Sequence, residues 1–220
     1  MADSATQRAE MVEKQLRRRG IADERVLAAM GEVQRELFVP DAQREVAYSD
    51  AALPIGGNQT VSQPWIVAAI CEALELEGTE TVLEVGGGSG YSAAVLARLA
   101  VRVISIERLP ELAERARTAL AVSGVGQGRV EVVVADGSLG LPSRAPFEAI
   151  AVHAAAPARP RTLLGQLAPD GRLVAPIGSG GREMLTLFVR RPGGESGFTT
   201  RRIAPCRFVP LLGAEGFPER

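Results

Sequence analysis

From residue 81 onward the chain alternates two rhythms. Apolar, largely β-branched runs of strand length stand at TVLEV (81–85), VRVISIE (101–107), RVEVVVAD (129–136), FEAIAVH (147–153) and GRLVAPI (171–177). Between them lie stretches of helical period at about 90–100, 110–123 and 159–168. Apolar strands separated by helices predict a parallel sheet covered on both faces. Two later runs, MLTLFVRR (184–191) and about 199–209, are joined by PGGESGF, which has no room for a helix, so they predict a hairpin. The pattern is that of an α/β fold with a seven-stranded sheet, five parallel strands followed by a hairpin.

The first eighty residues follow a different plan. Residues 5–19 and 23–30 read as two short helices separated by Gly20-Ile21-Ala22, with Asp23 as the N-cap of the second. An irregular stretch, FVPDAQREVAYSDAALPIGG, carries prolines at 40 and 54. Ser62, two residues before Pro64, then opens an apolar helix ending near Leu76. We expect one domain over 1–220, with a helical N-terminal extension at 1–60, a core at 61–190 and a C-terminal strand and segment at 191–220.

Composition narrows the function classes. Net charge is -1 and no basic stripe is present, so a general attraction to nucleic acid is not expected. No run approaches the ~18 apolar residues of a membrane span. Cys71 and Cys206 are far apart and the chain has one histidine, which argues against structural zinc and a disulfide framework. A polar, mixed-charge start unlike an export signal makes a reducing cytoplasm the expected compartment.

The densest chemical signal is VLEVGGGSGYSAA (82–94), a strand, a glycine-rich turn and a helix start. Gly88, Gly90 and Ala93 fit G-x-G-x-x-A, and Glu107 ends the next strand, so spacing alone allows a dinucleotide site. Glu84 argues against it, because its carboxylate would stand beside a pyrophosphate. A ligand bearing an ammonium group, a ribose diol and no phosphate suits these acids better, and S-adenosylmethionine is such a ligand. Asp136-Gly137 follows the third strand, where an Asp can accept from an exocyclic amine. The alternative for these acids, most natural for Asp136, is that they only cap helices.

Beyond the loop, the chain resembles the protein-L-isoaspartate O-methyltransferases over nearly its whole length. The resemblance is carried by VLAAMGEVQRELFVP (26–40), AYSDAALPIG (47–56), QTVSQPWIVA (59–68), VLEVGGGSGYSAAVLA (82–97), VISIER (103–108), ADGSLGLPSRAPFEAI (135–150) and RFVPLLG (207–213). It implies the Rossmann-like class I S-adenosylmethionine-dependent methyltransferase fold. The activity implied is transfer of a methyl group from S-adenosylmethionine to the α-carboxylate of L-isoaspartyl residues in damaged proteins and peptides, leaving S-adenosylhomocysteine. By position, Ser62 matches the family's active-site serine. The cofactor set implied is Glu84, Gly86, Gly88, Ser89, Gly90, Glu107, Asp136 and Gly137. Thr60, Val209 and Pro210 are expected against the substrate, with 208–211 closing over it, no metal, and a monomeric protein.

Three departures stand out. Asn58 replaces a glycine usual before Gln59, Gly87 stands where the loop commonly has Thr, and His153 stands where VTAA would place Thr. Asn58 and His153 are expected to bear on substrate preference. The motif around Ser62 holds no His, Lys or Asp, and a carboxylate acceptor with a pKa near 4 needs no general base at pH 7. Ser62 can orient the acceptor by one hydrogen bond; its other reading is a helix N-cap with Pro64 in the first turn. Rival functions are a carboxyl methyltransferase for a biosynthetic peptide or small molecule, and a non-catalytic nucleotide-binding module.

Overall fold

In the computed structural model, which describes residues 3–195 and 197–218 with the side chains of 192–195 excepted, all seven predicted runs enter one sheet. The strands are β3 (Thr81–Val85), β4 (Arg102–Glu107), β5 (Val130–Val134), β6 (Phe147–Val152), β7 (Leu167–Ile177), β8 (Glu183–Glu195) and β9 (Phe198–Cys206). Their spatial order is β5-β4-β3-β6-β7-β8-β9. The first five are parallel, β8 is antiparallel to β7, and β9 is antiparallel to β8. The connection expected at 192–198 includes Ser196, which lies outside the described residues. Strand order reverses between β3 and β6, so a crevice opens at the carboxyl ends of these two strands, where open α/β sheets bind ligands.

Helices α3 (Pro64–Leu74), α4 (Tyr91–Leu99) and α5 (Pro110–Ser123) flank the sheet. Alternation along the strands divides the interior in two. Val82, Val103, Ala149 and Val174 join α3, α4 and the N-terminal segment on one face. Leu83, Val85, Ile104, Ile106, Ile150 and Leu173 meet Leu163 and Leu164 on the other. The helix expected at 159–168 is only α6 (Arg161–Leu164). Gln166 ends it, because its carbonyl accepts from Phe147 at the start of β6 and Leu167 already pairs with Phe147.

The N-terminal helix is continuous but not uniform. α1 (Ser4–Glu10) runs into a π turn at Met11–Leu16 and a 3-10 turn at Arg17–Arg19, and it stops at Gly20 with φ 93°. α2 (Glu24–Glu32) is capped as expected, Asp23 accepting from the N–H groups of Arg25 and Val26. The stretch read as irregular ends in β1 (Leu53–Gly56), which forms a small hairpin with β2 (Gln59–Val61) just beyond it. Gly57 (φ 57°) and Asn58 (φ 56°) form its turn, both in the left-handed region that two-residue hairpin loops demand. Asn is the non-glycine residue that tolerates this conformation best, so Asn58 has a local conformational reason to stand there.

Candidate active site

The glycine loop 86–90 bridges β3 and α4 beneath the β1–β2 hairpin, with Gly86, Gly88 and Gly90 at φ 84°, 54° and 85°. Ile55 packs over it: a Cβ on Gly88 would stand 3.3 Å from the Ile55 Cδ1. Glu107 closes the loop's other side. One carboxylate oxygen accepts from Gly88 N–H and the other from Leu109 N–H, each at 2.9 Å. Glu107 lines the pocket, and a carboxylate oxygen can accept more than one hydrogen bond, which suits a diol.

Glu84 lies elsewhere than the sequence suggests. It is fully buried beneath the loop rather than in the pocket wall. Its two oxygens accept from the hydroxyls of Ser92 and Ser105, the latter at 2.5 Å. His153 Nε2 stands 3.6 Å from Glu84 Oε1, buried and with no hydrogen-bond partner. Burial pushes the Glu84 carboxyl up to about 7 against the lowering effect of the two serines. Burial also pulls the His153 imidazole down to about 4. Near neutral pH the pair is therefore a neutral imidazole beside a carboxyl poised to ionise. The His153 ring, kept neutral by its burial, also lines the glycine-loop pocket.

Asp136 also departs from the expected contact. Its carboxylate accepts from Ser138 N–H and Oγ at 2.9 and 2.7 Å and from Ala214 N–H at 2.8 Å. Burial raises this carboxyl, but the Ser138 and Ala214 bonds outweigh it and hold the pKa below the usual value. Gly137, not the Asp136 side chain, lines the pocket. A Cβ on Gly137 would stand 2.7 Å from Val85 Cγ1, so only glycine fits this wall.

The C-terminal segment forms the roof. Beyond β9 the chain crosses the carboxyl ends of the strands, with Ala155 N–H donating to Val209 O and Leu211 N–H to Ala155 O, both at 2.8 Å. Asp136 and Ser138 anchor the turn that follows, through Ala214 and Glu215. The acid thus fastens the roof over the pocket.

Ser62 sits across from the loop. Helix α3 begins at Pro64 with Gln63 at the N-cap and no side-chain cap bond, so Ser62 is not a cap. Its hydroxyl makes no hydrogen bond among the described residues, while its carbonyl accepts from Arg35 at 2.7 Å. Ser62 and Thr60 line a groove with Gln63, Ile66, Phe208 and Val209. The groove and the glycine-loop pocket share Thr60, His153 and Val209 as a common wall. Pro210 lines the pocket but not the groove.

Arg35, Ser92 and Ser105 were not singled out from the sequence. Ser105 had a signal: it is the polar residue inside VISIE, in register with Glu84 on the neighbouring strand. Arg35 had none, since a lone arginine in VQRELFVP reads as exposed.

The chain matches the sequence profile of the protein-L-isoaspartate(D-aspartate) O-methyltransferases over residues 6–216. It is 51% identical over 211 residues to the protein-L-isoaspartate O-methyltransferase of Methanoculleus marisnigri, covering 96% of this chain and 94% of the relative. It is 53% identical to protein-L-isoaspartate O-methyltransferase 2 of Marinobacter nauticus, covering 94% of each. A solved protein-L-isoaspartate O-methyltransferase superposes with a TM-score of 0.81 at 28% identity, over 94% of this chain and 66% of that one. A Plasmodium falciparum structure in complex with S-adenosyl-L-homocysteine shares the fold, with a TM-score of 0.80 at 22% identity over 93% of this chain and 98% of that one. With a profile spanning almost all of its length and relatives at half identity, the chain belongs to the protein-L-isoaspartate O-methyltransferase family.

Proposed function

We propose that this protein transfers the methyl group of S-adenosylmethionine to the α-carboxylate of L-isoaspartyl residues in damaged proteins and peptides. The observation that carries the reading is the wall of Thr60, His153 and Val209 shared by the glycine-loop pocket and the Ser62 groove. A cofactor in one and an acceptor in the other meet across that wall. The pocket suits the cofactor's nucleoside: Gly88 and Gly137 keep its walls free of side chains, and Glu107 lines it with a carboxylate.

When bound, the cofactor supplies an electrophilic methyl group on a sulfonium. Glu107 holds the diol, Gly137 admits the base, and Ser89 and Gly90 present the N-terminal end of α4, whose partial positive charge suits a carboxylate. Glu84 acts from beneath the loop: ionised, it lends the pocket a negative field that favours the cofactor's positive groups. On the acceptor side, the Ser62 hydroxyl is free to donate to one carboxylate oxygen and fix its direction. Thr60, Phe208 and Val209 exclude water around it. A single neutral donor orients the nucleophile without the deep ground-state stabilisation of a cation in contact. Positioning of this kind can supply as much as ~7–11 kcal/mol.

Such an enzyme acts on protein rather than nucleic acid, works as a monomer and belongs in the cytoplasm. Its near-zero net charge supports the first point. Among the described residues no helix is long and apolar enough to cross a membrane. Incubation with labelled S-adenosylmethionine and an isoaspartyl peptide tests the reaction. Base-labile label on the peptide supports an ester product, and base-stable label would refute it.

A further inference from the structure

Arg35 is fully buried, yet no carboxylate pairs with it among the described residues. Burial lowers its pKa, the sign of an unfavourable environment for the charge. An isolated buried cation is costly to keep. What the side chain does hold is geometry. Its Nε donates to Ala47 O and its Nη2 to Ser62 O, both at 2.7 Å. The guanidinium lies over the Tyr91 ring at 4.6 Å. Its Nη1 is buried without a partner, so the group is not there to complete a polar network.

Each contact belongs to a different part of the site. Ala47 follows the 3-10 turn Asp41–Val46, Ser62 carries the free hydroxyl, and Tyr91 is the first residue of α4 after the glycine loop. Tyr91 is itself held edge-on by Phe38, ring centroids 5.8 Å apart. We infer that Arg35 is a positioning residue for methyl transfer, setting the main chain of Ser62 at a fixed place relative to the glycine loop. The inference rests on the methyltransferase reading above. A lysine cannot reproduce it, because one ammonium cannot serve two separate carbonyls and keep its charge over the ring at once.

The test compares Arg35→Met, Arg35→Lys, Ser62→Ala and the double variant Arg35→Met/Ser62→Ala, using an isoaspartyl peptide. Arg35→Met, which leaves the Ala47 and Ser62 carbonyls without their donor, is expected to melt lower than wild type, to bind S-adenosylhomocysteine normally, and to lose roughly tenfold to a hundredfold in kcat. Arg35→Lys should show the same split. Because Arg35 acts through Ser62, the double variant should be no slower than Ser62→Ala alone. Wild-type kcat in folded Arg35→Lys, or losses that multiply in the double variant, would overturn the proposal, and the lysine variant carries this test if the methionine variant does not fold. Hydrogen exchange reads the same geometry without turnover: faster exchange at residues 59–63 in Arg35→Lys supports the proposal, and unchanged exchange there refutes it. An inactive wild type would defeat the functional reading and leave that exchange measurement to decide the role of Arg35.

Discussion

The Ser105 hydroxyl donates to Glu84 at 2.5 Å and occupies the space that a side chain on Gly87 would need. The glycine at this loop position and the serine on the adjoining strand are therefore one arrangement. Any Cβ at residue 87 must displace the hydroxyl that holds a buried carboxyl.

Gly87→Ala is accordingly expected to destabilise the protein by about 1–3 kcal/mol, the usual effect of overpacking. Ser105→Ala removes one hydrogen bond to Glu84, for a loss of about 1 kcal/mol. Combined, the two changes should not add, because the alanine methyl takes the place the hydroxyl left. Denaturant midpoints of the three variants check this, and additive losses would show that Gly87 and Ser105 are independent.

Glu84 and His153 make stability depend on pH in opposite senses. The Glu84 carboxyl is raised by burial from its ordinary 4.5 to about 7. Its stabilising contribution is therefore complete below pH 4.5 and is lost as pH rises through 7. His153 is lowered to about 4 from 6.5, so its contribution is absent below 4 and complete above 6.5. Between these limits the two partly offset, and Glu84→Gln isolates the first. Relative to wild type without cofactor, this variant should gain melting temperature steadily from about pH 5 to pH 7.5, then level off. The same variant should bind S-adenosylmethionine more weakly at pH 8, where the wild-type carboxyl is ionised. A pH-independent difference in melting temperature would contradict the assignment.

Ser62 and Glu107 should separate the two halves of the site. Ser62→Ala is expected to lower kcat by roughly tenfold to a hundredfold while leaving cofactor affinity unchanged. Glu107→Ala should instead weaken cofactor binding by roughly tenfold to a hundredfold, as loss of a charge-assisted hydrogen bond implies. Steady-state kinetics and calorimetry with S-adenosylhomocysteine distinguish them, and reversed effects would exchange the two roles.

The centre of the sheet was legible because β3, β4 and β6 are continuous apolar runs, and burial on both faces leaves such a run little else to do. The β1–β2 hairpin was not, because strands of four and three residues, one holding Pro54 and Gly56, are too short for their alternation to stand out. Its one signal was Gly57-Asn58, a pair suited to positive φ. Sequence spacing placed Glu84, Glu107 and Asp136 at three strand ends but could not say where each carboxylate points. The structure turns only Glu107 toward the pocket, while Glu84 goes under the loop and Asp136 ties down the roof. Gly140 and Gln166 illustrate the same limit, since a Cβ at residue 140 would collide with the Gln166 amide 26 residues away. Long-range pairings of this sort leave no periodic trace. Arg35 is the extreme case, for its partners lie 12 and 27 residues away and its burial contradicts its residue type.

The measurement that bears most directly on the whole account is labelled methyl transfer to two peptides identical except for one linkage, L-isoaspartyl in one and L-aspartyl in the other. A groove that orients a main-chain α-carboxylate beside Ser62 should label the isoaspartyl peptide and leave its partner unlabelled. Equal labelling of the two peptides, or none of either, would contradict it.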